Sequence, residues 1–234
     1  MTPDALAAAM EATWPAVSAW RLGPWRLREG GGGGKRVSAA SAEGQWAEAD
    51  IDAAEAAMAA PLFMLRPEDA ALDRALAVRA YAKVDPVAVY AAPTASFAPP
   101  PHFTAFPHWP PLQIALDLWA GGQIGPARIA VMQRVSGPKV AILSRSPGKN
   151  GDRASGVAFV AIHDRIAMLH ALEISPAHRR KGSARNILRA AAGWAGEQGA
   201  DILALAVTEA NRPASALYAS HGMQVVGHYH YRQK

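Results

Sequence analysis

The fold is decided by residues 169–188, which read LHALEISPAHRRKGSARNIL. A largely apolar run from Ile166 to Ile174 predicts a strand that ends before Pro176, because proline has no backbone N–H to donate to a ladder. From Ile187 onward, apolar residues recur at the spacing of one helical face and predict an amphipathic helix. The stretch therefore predicts a strand, a basic turn and a helix in direct succession.

The turn between this strand and helix has the properties of an anion site. Backbone N–H groups from Arg180 to Ala184 lie at the positive end of the helix and lack acceptors within it. Small side chains at Gly182, Ser183 and Ala184 let a phosphate approach the backbone closely. Four basic side chains flank the turn: Arg179, Arg180, Lys181 and Arg185. We therefore expect an acidic cofactor at this turn.

The elements that follow extend the pattern. Residues 202–207, ILALAV, predict a buried strand. Asn211 as the N-cap and Pro213 in the first turn predict the start of another helix, which Gly222 ends. Residues 223–231 then predict a last strand.

The spacing Arg179-x-x-Gly182-x-Ala184 between a strand and a helix resembles the pyrophosphate loop of the GNAT superfamily of acyl-CoA-dependent N-acyltransferases. Alone, so short a pattern also fits an ordinary basic helix start. The segment Asn211-x-x-Ala214-x-x-Leu217-Tyr218, a small turn and a final strand are similar to the same family, and the likeness extends over residues 139–232. It implies an α/β fold with a mixed (α+β) sheet, the GNAT acyl-CoA N-acyltransferase fold.

The resemblance also implies which residues hold acetyl-CoA, the expected co-substrate. Ile174 matches the position whose backbone pairs with the pantetheine arm. Asn211 matches a residue that contacts the cofactor, and helix capping is compatible with that role. The full implied set is Leu172, Ile174, Arg179, Arg180, Lys181, Gly182, Ser183, Ala184, Arg185 and Asn211.

Direct acetyl transfer from a thioester to an amine requires a neutral amine, a stabilised oxyanion and a proton for the departing thiolate. It requires no metal, and none is expected here. The resemblance implies that Tyr218 donates this proton, since a phenol with a pKa of ~10 is protonated at neutral pH. A purely structural core aromatic is the alternative.

Two residues compete for the role of general base. The resemblance implies His170, on the strand where family members use histidine to help deprotonate the amine. Glu173 is the competing carboxylate. On a regular strand the two side chains point to opposite faces, so only one reaches the cleft unless a bulge intervenes.

The first half of the chain predicts a second unit of similar element order. From Lys35 to Tyr90 the order strand, helix, strand, helix, strand repeats that of the C-terminal half, with Gly44-Gln45-Trp46 in place of a phosphate loop. We therefore expect a degenerate GNAT-like domain at residues 1–92 that does not bind cofactor. A Pro-rich linker at 93–112, expected to lack regular structure, precedes a catalytic GNAT domain at 113–234.

Local patterns in the rest of the chain predict individual elements. Five consecutive glycines, residues 30–34, do not fit a Walker loop in spacing and predict the flexible tip of a hairpin between residues 25–29 and 35–40. Helices are predicted at residues 4–13, 50–59 and 69–82, and one or two more over 113–133. Strands are predicted at 62–65, 87–90, 140–144 and 155–162, the last two joined by a polar turn at 147–152.

Composition narrows the classes of function. The absence of cysteine excludes disulfides and thiolate catalysis. The net charge of +5 is spread along the chain rather than striped, which argues against a nucleic-acid partner. No apolar run approaches the ~20 residues of a membrane span, and the acidic N-terminal helix does not fit a signal peptide. We expect a cytoplasmic protein.

These observations predict an N-acetyltransferase that moves an acetyl group from acetyl-CoA to a primary amine of a small-molecule acceptor by direct attack. The alternative is a non-catalytic acyl-CoA-binding sensor. Transfer to a protein or RNA acceptor is a third hypothesis. The acceptor, the acyl chain length and the oligomeric state, including a homodimer, are left open by the sequence.

Overall fold

The computed structural model describes residues 1–147, 151 and 153–234. The α-helices are α1 (Pro3–Ala12), α2 (Glu48–Ala57), α3 (Ala70–Val78), α4 (Gln113–Gly121), α5 (Pro126–Arg134), α6 (Ser183–Glu197) and α7 (Arg212–Ser220). The strands are β1 (Ser18–Leu22), β2 (Trp25–Glu29), β3 (Ser41–Ala42), β4 (Leu62–Leu65), β5 (Ala82–Pro93), β6 (Ala105–His108), β7 (Lys139–Ser146), β8 (Arg153–His163), β9 (Ile166–Ile174), β10 (Ile202–Thr208) and β11 (Gln224–Gln233).

The main sheet has eight strands in the order β4-β11-β5-β10-β9-β8-β7-β6. β9 and β10 run parallel, because the chain crosses over between them through α6. The other neighbours in this sheet are antiparallel. The expected mixed sheet in an α/β fold is thus confirmed. A separate three-stranded sheet has the order β1-β2-β3.

Strand β8 shows how the sheet is covered on both faces. Val157, Phe159 and Ala161 pack with α4 and α5 on one face. The alternating residues, including Ala158 and Val160, pack with α6 on the other face. Because successive side chains of a strand point to opposite sides, this continuous apolar run fits a strand that is buried on both faces.

Strands from both predicted domains pair within this one sheet. β5 lies between β10 and β11, and β4 pairs with β11 at the sheet edge. Residues 1–92 therefore supply strands to the same sheet that holds the predicted catalytic elements. The division at residues 93–112 stays a prediction.

The prediction that the Pro-rich segment lacks regular structure was wrong. β6 lies within it and pairs with β7, with Pro107 opposite Ile142. β6 is the last strand of the sheet, where a proline can point its missing N–H away from the ladder. Edge position is a property of the assembled sheet, so proline content alone did not reveal this strand.

The predicted hairpin around the glycines was also wrong. β2 pairs with β1, across a turn at Gly23, and with β3 only through Trp25 and Arg26, while Lys35–Val37 is a single turn of 3₁₀ helix. The glycine run packs against α5, where a Cβ at Gly33 would lie 2.5 Å from Cγ2 of Val131. Only residues without a side chain fit this approach, so the run serves a close contact between elements.

Most other helices and strands lie close to their predicted positions but begin or end at different residues. The helix predicted to reach residue 82 ends at Val78, because Ala80 has a φ of 63°. The strand predicted at 87–90 extends over Ala82–Pro93. Part of the polar turn predicted at 147–152 lies outside the described residues.

Candidate active site

The parallel strands β9 and β10 separate and open a cleft. They pair from Ile166 opposite Ile202 to Leu169 opposite Leu205, and no further. The chain beyond these pairs lines a cavity of about 380 Å³. Ligands of open α/β sheets bind outside the carboxyl ends of strands, where neighbouring strands diverge. The cleft is therefore the best-placed binding site in the main sheet.

A bulge in β9 brings both candidate bases to this cleft. Val157 of β8 pairs with Glu173 and Phe159 pairs with His170, so Ala171 and Leu172 face the single residue between them. Ala171 has a φ of 51°, and Nε1 of Trp119 donates a 2.8 Å hydrogen bond to its carbonyl oxygen. The extra residue puts His170 and Glu173 on the same side.

The carboxylate of Glu173 is closely packed. A Cβ at Gly122, just after α4, would lie 2.5 Å from Cδ of Glu173, so any larger residue there would displace the carboxylate. On its other side, Oε1 of Glu173 lies 3.4 Å from Nη2 of Arg179. The side chain is 19% exposed and lines the cleft. These contacts hold the carboxylate in one place.

The imidazole of His170 is buried and both of its nitrogens are engaged. Nη2 of Arg36 lies 3.1 Å from Nδ1, and Oγ1 of Thr13 lies 2.9 Å from Nε2. Guanidinium groups only donate, so Nδ1 is the acceptor and Nε2–H donates to Thr13, whose hydroxyl donates to the carbonyl oxygen of Ala9 at 2.6 Å. Burial, and then the charge of Arg36, lower the pKa of His170 well below its ordinary value.

Tyr218 projects from α7 into the same cleft. Its side chain is buried, with the ring centroid 5.7 Å from that of Tyr90. Its hydroxyl makes no hydrogen bond to any described residue. Burial raises the pKa of Tyr218 to about 12, so the phenol is protonated at physiological pH. A protonated donor without a protein acceptor thus lines the cleft.

The basic turn follows β9 directly. Gly182 is the N-cap of α6 with a φ of 87°, and Arg180 has a φ of 62°. A Cβ at Gly182 would meet nothing within 4 Å, so the backbone conformation and not space favours glycine there. The side chains of Arg180, Lys181 and Arg185 are exposed and make no ion pair among the described residues.

Ser183 anchors the turn rather than facing solvent. It is buried, and its Oγ lies 2.8 Å from Oγ of Ser155, which lies 2.9 Å from Oγ of Ser144. This chain of hydroxyls ties the start of α6 to β8 and β7. Ala184 is half-buried beside it.

Three further predicted residues have distinct positions. Asn211 lines the cleft and caps α7, with Oδ1 accepting a 3.3 Å hydrogen bond from the N–H of Ala214. Leu172 lines the cleft within the bulge. Ile174 is half-buried at the end of β9, where its carbonyl oxygen accepts a hydrogen bond from Nε of Arg179 at 3.2 Å.

The cleft also contains residues that the sequence did not suggest. They come from four separate parts of the chain: Trp14, Arg36, Gly122, Ile124, Arg128 and Tyr229. In the sequence, only the consecutive glycines before Arg36 and at 121–122 could have pointed to these residues, because glycines occur where two elements approach closely.

Among the described residues, no group of three His, Asp or Glu side chains could hold a metal ion. No helix in the described part of the chain has the length and apolarity to cross a membrane.

A protein-family comparison agrees with this geometry. The model of the acetyltransferase (GNAT) family matches residues 138–223, the span that holds β9, the basic turn and Tyr218. Residues 138–223 belong to the GNAT family of acetyltransferases. This GNAT domain confirms the resemblance noted in the sequence.

One curated relative is similar to the GNAT domain in sequence. It is a streptothricin acetyltransferase of Streptomyces lavendulae, 38% identical over 82 residues. The match covers 34% of this chain and 43% of the relative, so less than half of that protein's length is represented.

Solved structures are similar over almost the whole chain. A GCN5-related N-acetyltransferase from Kribbella flavida has a TM-score of 0.72 and 17% identity, covering 100% of this chain and 96% of that one. A tandem GNAT protein from the clavulanic acid biosynthesis pathway has a TM-score of 0.60 and 13% identity, covering 96% and 86%. At these identities the likeness shows the fold alone. The predicted GNAT fold is confirmed.

Proposed function

We propose that this protein is an N-acetyltransferase that transfers the acetyl group of acetyl-CoA to a primary amine by direct attack. One observation carries the proposal: the cleft between β9 and β10 is lined by a carboxylate, Glu173, and by a protonated phenol, Tyr218. The basic turn lies at the end of the same strand. The proposed acid, the proposed base and the proposed anion site would thus lie along one binding path.

In this proposal, the pyrophosphate of acetyl-CoA binds the backbone N–H groups at the start of α6. Arg180, Lys181 and Arg185 have exposed side chains beside them that pair with no carboxylate in the described part of the chain, and their charge complements that of the cofactor. The pantetheine arm runs along Ile174 and Leu172 into the cleft, past Asn211. Its thioester then lies near Tyr218.

Glu173 is the proposed base. It removes a proton from the acceptor ammonium, directly or through water, and the free amine attacks the thioester carbon. His170 fits this role poorly, since its only lone pair is engaged by Arg36 and its low pKa makes it a weak base. We therefore assign His170 a structural role in which it helps to position Arg36 at the cleft.

Collapse of the tetrahedral intermediate breaks the carbon–sulfur bond. Tyr218 gives its phenolic proton to the departing thiolate, so that CoA leaves as the thiol. The second proton of the attacking nitrogen returns through solvent to the Tyr218 phenolate, Glu173 releases the first proton to solvent, and an amide remains. No metal takes part in this sequence of steps. The expected cytoplasmic location and a homodimer both stay predictions.

The first experiment is thermal unfolding with and without acetyl-CoA. A ligand at ~100 times its dissociation constant adds about 2.7 kcal/mol to stability, which for a chain of this size raises the Tm by roughly 5 to 10 °C. We expect Gly182→Asp to lose this shift, because its carboxylate repels the pyrophosphate. Gly199→Asp is the matched control, since Gly199 is also exposed, with a φ of 86° and no atom within 4 Å of a Cβ.

The second experiment measures amine-dependent release of CoA thiol with a panel of primary amines. Release together with the Tm shift supports the enzyme. A Tm shift without release from any amine contradicts transfer to a small amine, and it is the result that an acyl-CoA sensor or transfer to a protein or RNA acceptor would give. If acetyl-CoA shifts neither the wild type nor the control, the cofactor assignment is wrong.

A further inference from the structure

Arg36 lines the cleft, and its guanidinium has few partners among the described residues. Nη2 donates to His170, Cζ lies 5.9 Å from the ring centroid of Trp14, and Nε is buried without a hydrogen-bond partner. No carboxylate of the described residues pairs with it. Burying part of a guanidinium without a counter-charge costs desolvation free energy, and a bound anion would offset that cost.

Several other basic residues in the same half of the chain are paired with carboxylates. Arg28 and Arg26 lie within ion-pair distance of Glu11, and Lys35, next in the chain to Arg36, lies 2.6 Å from Asp85. Each of these three cations thus has a carboxylate within ion-pair distance. Arg36 differs from them in facing the cleft.

A second arginine adds positive charge to the side of the cleft at Arg36, and we call this side the arginine wall. Arg128, in the first turn of α5, lines the same cleft and has neither an ion pair nor a side-chain hydrogen bond among the described residues. A Cβ at Gly34 would lie 3.7 Å from Nη2 of Arg128, so the glycine run brings the chain leading to Arg36 alongside α5. Both arginines therefore belong to one side of the cleft.

The arginine wall is distant from the basic turn. Arg36 contacts His170, and the turn begins after Ile174, four residues further along β9. A strand advances ~3.3 Å per residue, so the two positive sites are separated by roughly 10 Å or more. The pyrophosphate site and the arginine wall are thus at opposite ends of the path, with Glu173 between them.

We propose that the acceptor amine also carries a carboxylate, and that Arg36 and Arg128 bind it. The planar fork of a guanidinium matches a carboxylate with two parallel hydrogen bonds. With the carboxylate on Arg36, the amino group of the same molecule reaches toward Glu173. The substrate class is therefore an amino acid or a related amino carboxylic acid. This inference rests on the proposed function, because it names the acceptor of that reaction.

The test compares acids with their methyl esters as acceptors in the thiol-release assay. The panel is glycine, β-alanine, 4-aminobutyrate and L-lysine, each with its ester. We expect the kcat/KM of the best acid to exceed that of its ester at least 10-fold. Arg36→Gln should reduce this acid-to-ester ratio by about 10- to 100-fold, the equivalent of one charge-assisted hydrogen bond. Arg36→Lys should restore part of it.

Two further variants test whether the acid-to-ester ratio depends on positive charge at the cleft. Arg128→Gln removes a charge from an exposed position and should lower the same ratio without affecting folding. Arg74→Gln is the matched control, because Arg74 is exposed on α3, away from the cleft. The proposal is overturned if acids and esters react equally well, or if the Arg36 and Arg128 variants match the Arg74 variant. Preference for phosphoethanolamine over every acid also overturns it.

Calorimetric binding of N-acetylated acids and their methyl esters needs no turnover and separates the two proposals. If no amine supports thiol release but N-acetylated acids bind through Arg36, the N-acetyltransferase assignment fails and the carboxylate site stands. If turnover is observed and the acids bind no better than their esters, the carboxylate site fails and the enzyme assignment stands.

Discussion

Gly122 leaves the space that the Glu173 carboxylate occupies: a Cβ added to Gly122 would lie 2.5 Å from Cδ and 2.6 Å from Oε2 of Glu173. The glycine lies directly after α4, at a φ of −90°, so its lack of a side chain matters here for space and not for backbone conformation. The position of the proposed base thus depends on a residue 51 positions earlier in the chain.

We predict that Gly122→Ala displaces Glu173 and lowers kcat by about 10- to 100-fold. The reason is that a base moved by about 1 Å loses alignment with the amine. Binding of acetyl-CoA, measured by its Tm shift, should persist. Gly121→Ala is the control, because a Cβ there meets nothing within 4 Å and alanine favours the helix. Equal kcat values for the two variants would contradict the role of Glu173.

Tyr218→Phe should lower kcat by about 10²-fold or more while acetyl-CoA still binds, because the variant cannot give a proton to the thiolate. Tyr90→Phe controls for the loss of a hydroxyl from the neighbouring ring. Full activity of Tyr218→Phe would show that solvent protonates the thiolate.

The raised pKa of Tyr218 also predicts a dependence of stability on pH. Between pH 10 and about 12 the unfolded phenol loses its proton while the folded one keeps it. The folded state then binds more protons, so the free energy of unfolding decreases as the pH rises through this window. Denaturant unfolding of Tyr218→Phe should show a smaller decrease than the wild type. Identical curves would mean that the phenol is not buried.

His170 predicts the opposite dependence at acidic pH. Its pKa is ordinary in the unfolded chain and well below that in the folded protein, so the unfolded state takes up a proton first as the pH falls below 6.5. Stability is complete above that pH and decreases below it, by at most about 1.4 kcal/mol per pH unit. His170→Gln should show a flatter curve between pH 6.5 and 5. A base role for His170 predicts instead an activity profile that follows its titration.

Trp119 should affect activity through the bulge. Trp119→Phe removes the indole N–H that bonds to the carbonyl oxygen of Ala171, and a buried acceptor left unpaired costs about 1 to 3 kcal/mol. We expect lower stability and a reduced kcat, since the bulge aligns Glu173 with the cleft. Trp109→Phe is the comparison, because Trp109 packs on Phe159 and makes no indole hydrogen bond among the described residues. An unchanged kcat in Trp119→Phe would show that this hydrogen bond to the bulge does not affect catalysis.

Contiguous features of the site were predictable from the sequence. The basic turn and the N-cap of α7 are made by neighbouring residues, so their spacing, the positive φ at Gly182 and the cap at Asn211 follow from local stereochemistry. The strand and helix around them also follow from periodicity, since each buries one or two apolar faces. The sequence further raised a bulge as the condition for His170 and Glu173 to share the cleft.

The order of strands in the sheet was not predictable in this way. Placing β5 between β10 and β11 pairs residues more than 100 positions apart, and local patterns carry no information on such pairings. The edge position of β6, and with it the tolerance for Pro107, depends on the same assembly. The glycine run was misassigned to a hairpin because its role is a contact with α5.

The sequence by itself determined the basic turn, the helix caps and the family resemblance, because these depend on residues adjacent in the chain. Tertiary structure decided which of the two candidate bases has its ring nitrogens engaged and what else lines the cleft. Arg36 and Thr13 engage both nitrogens of His170 from 134 and 157 positions away. Only the folded sheet brings such distant side chains within hydrogen-bond range, and there burial and charge determine the chemistry that each can perform.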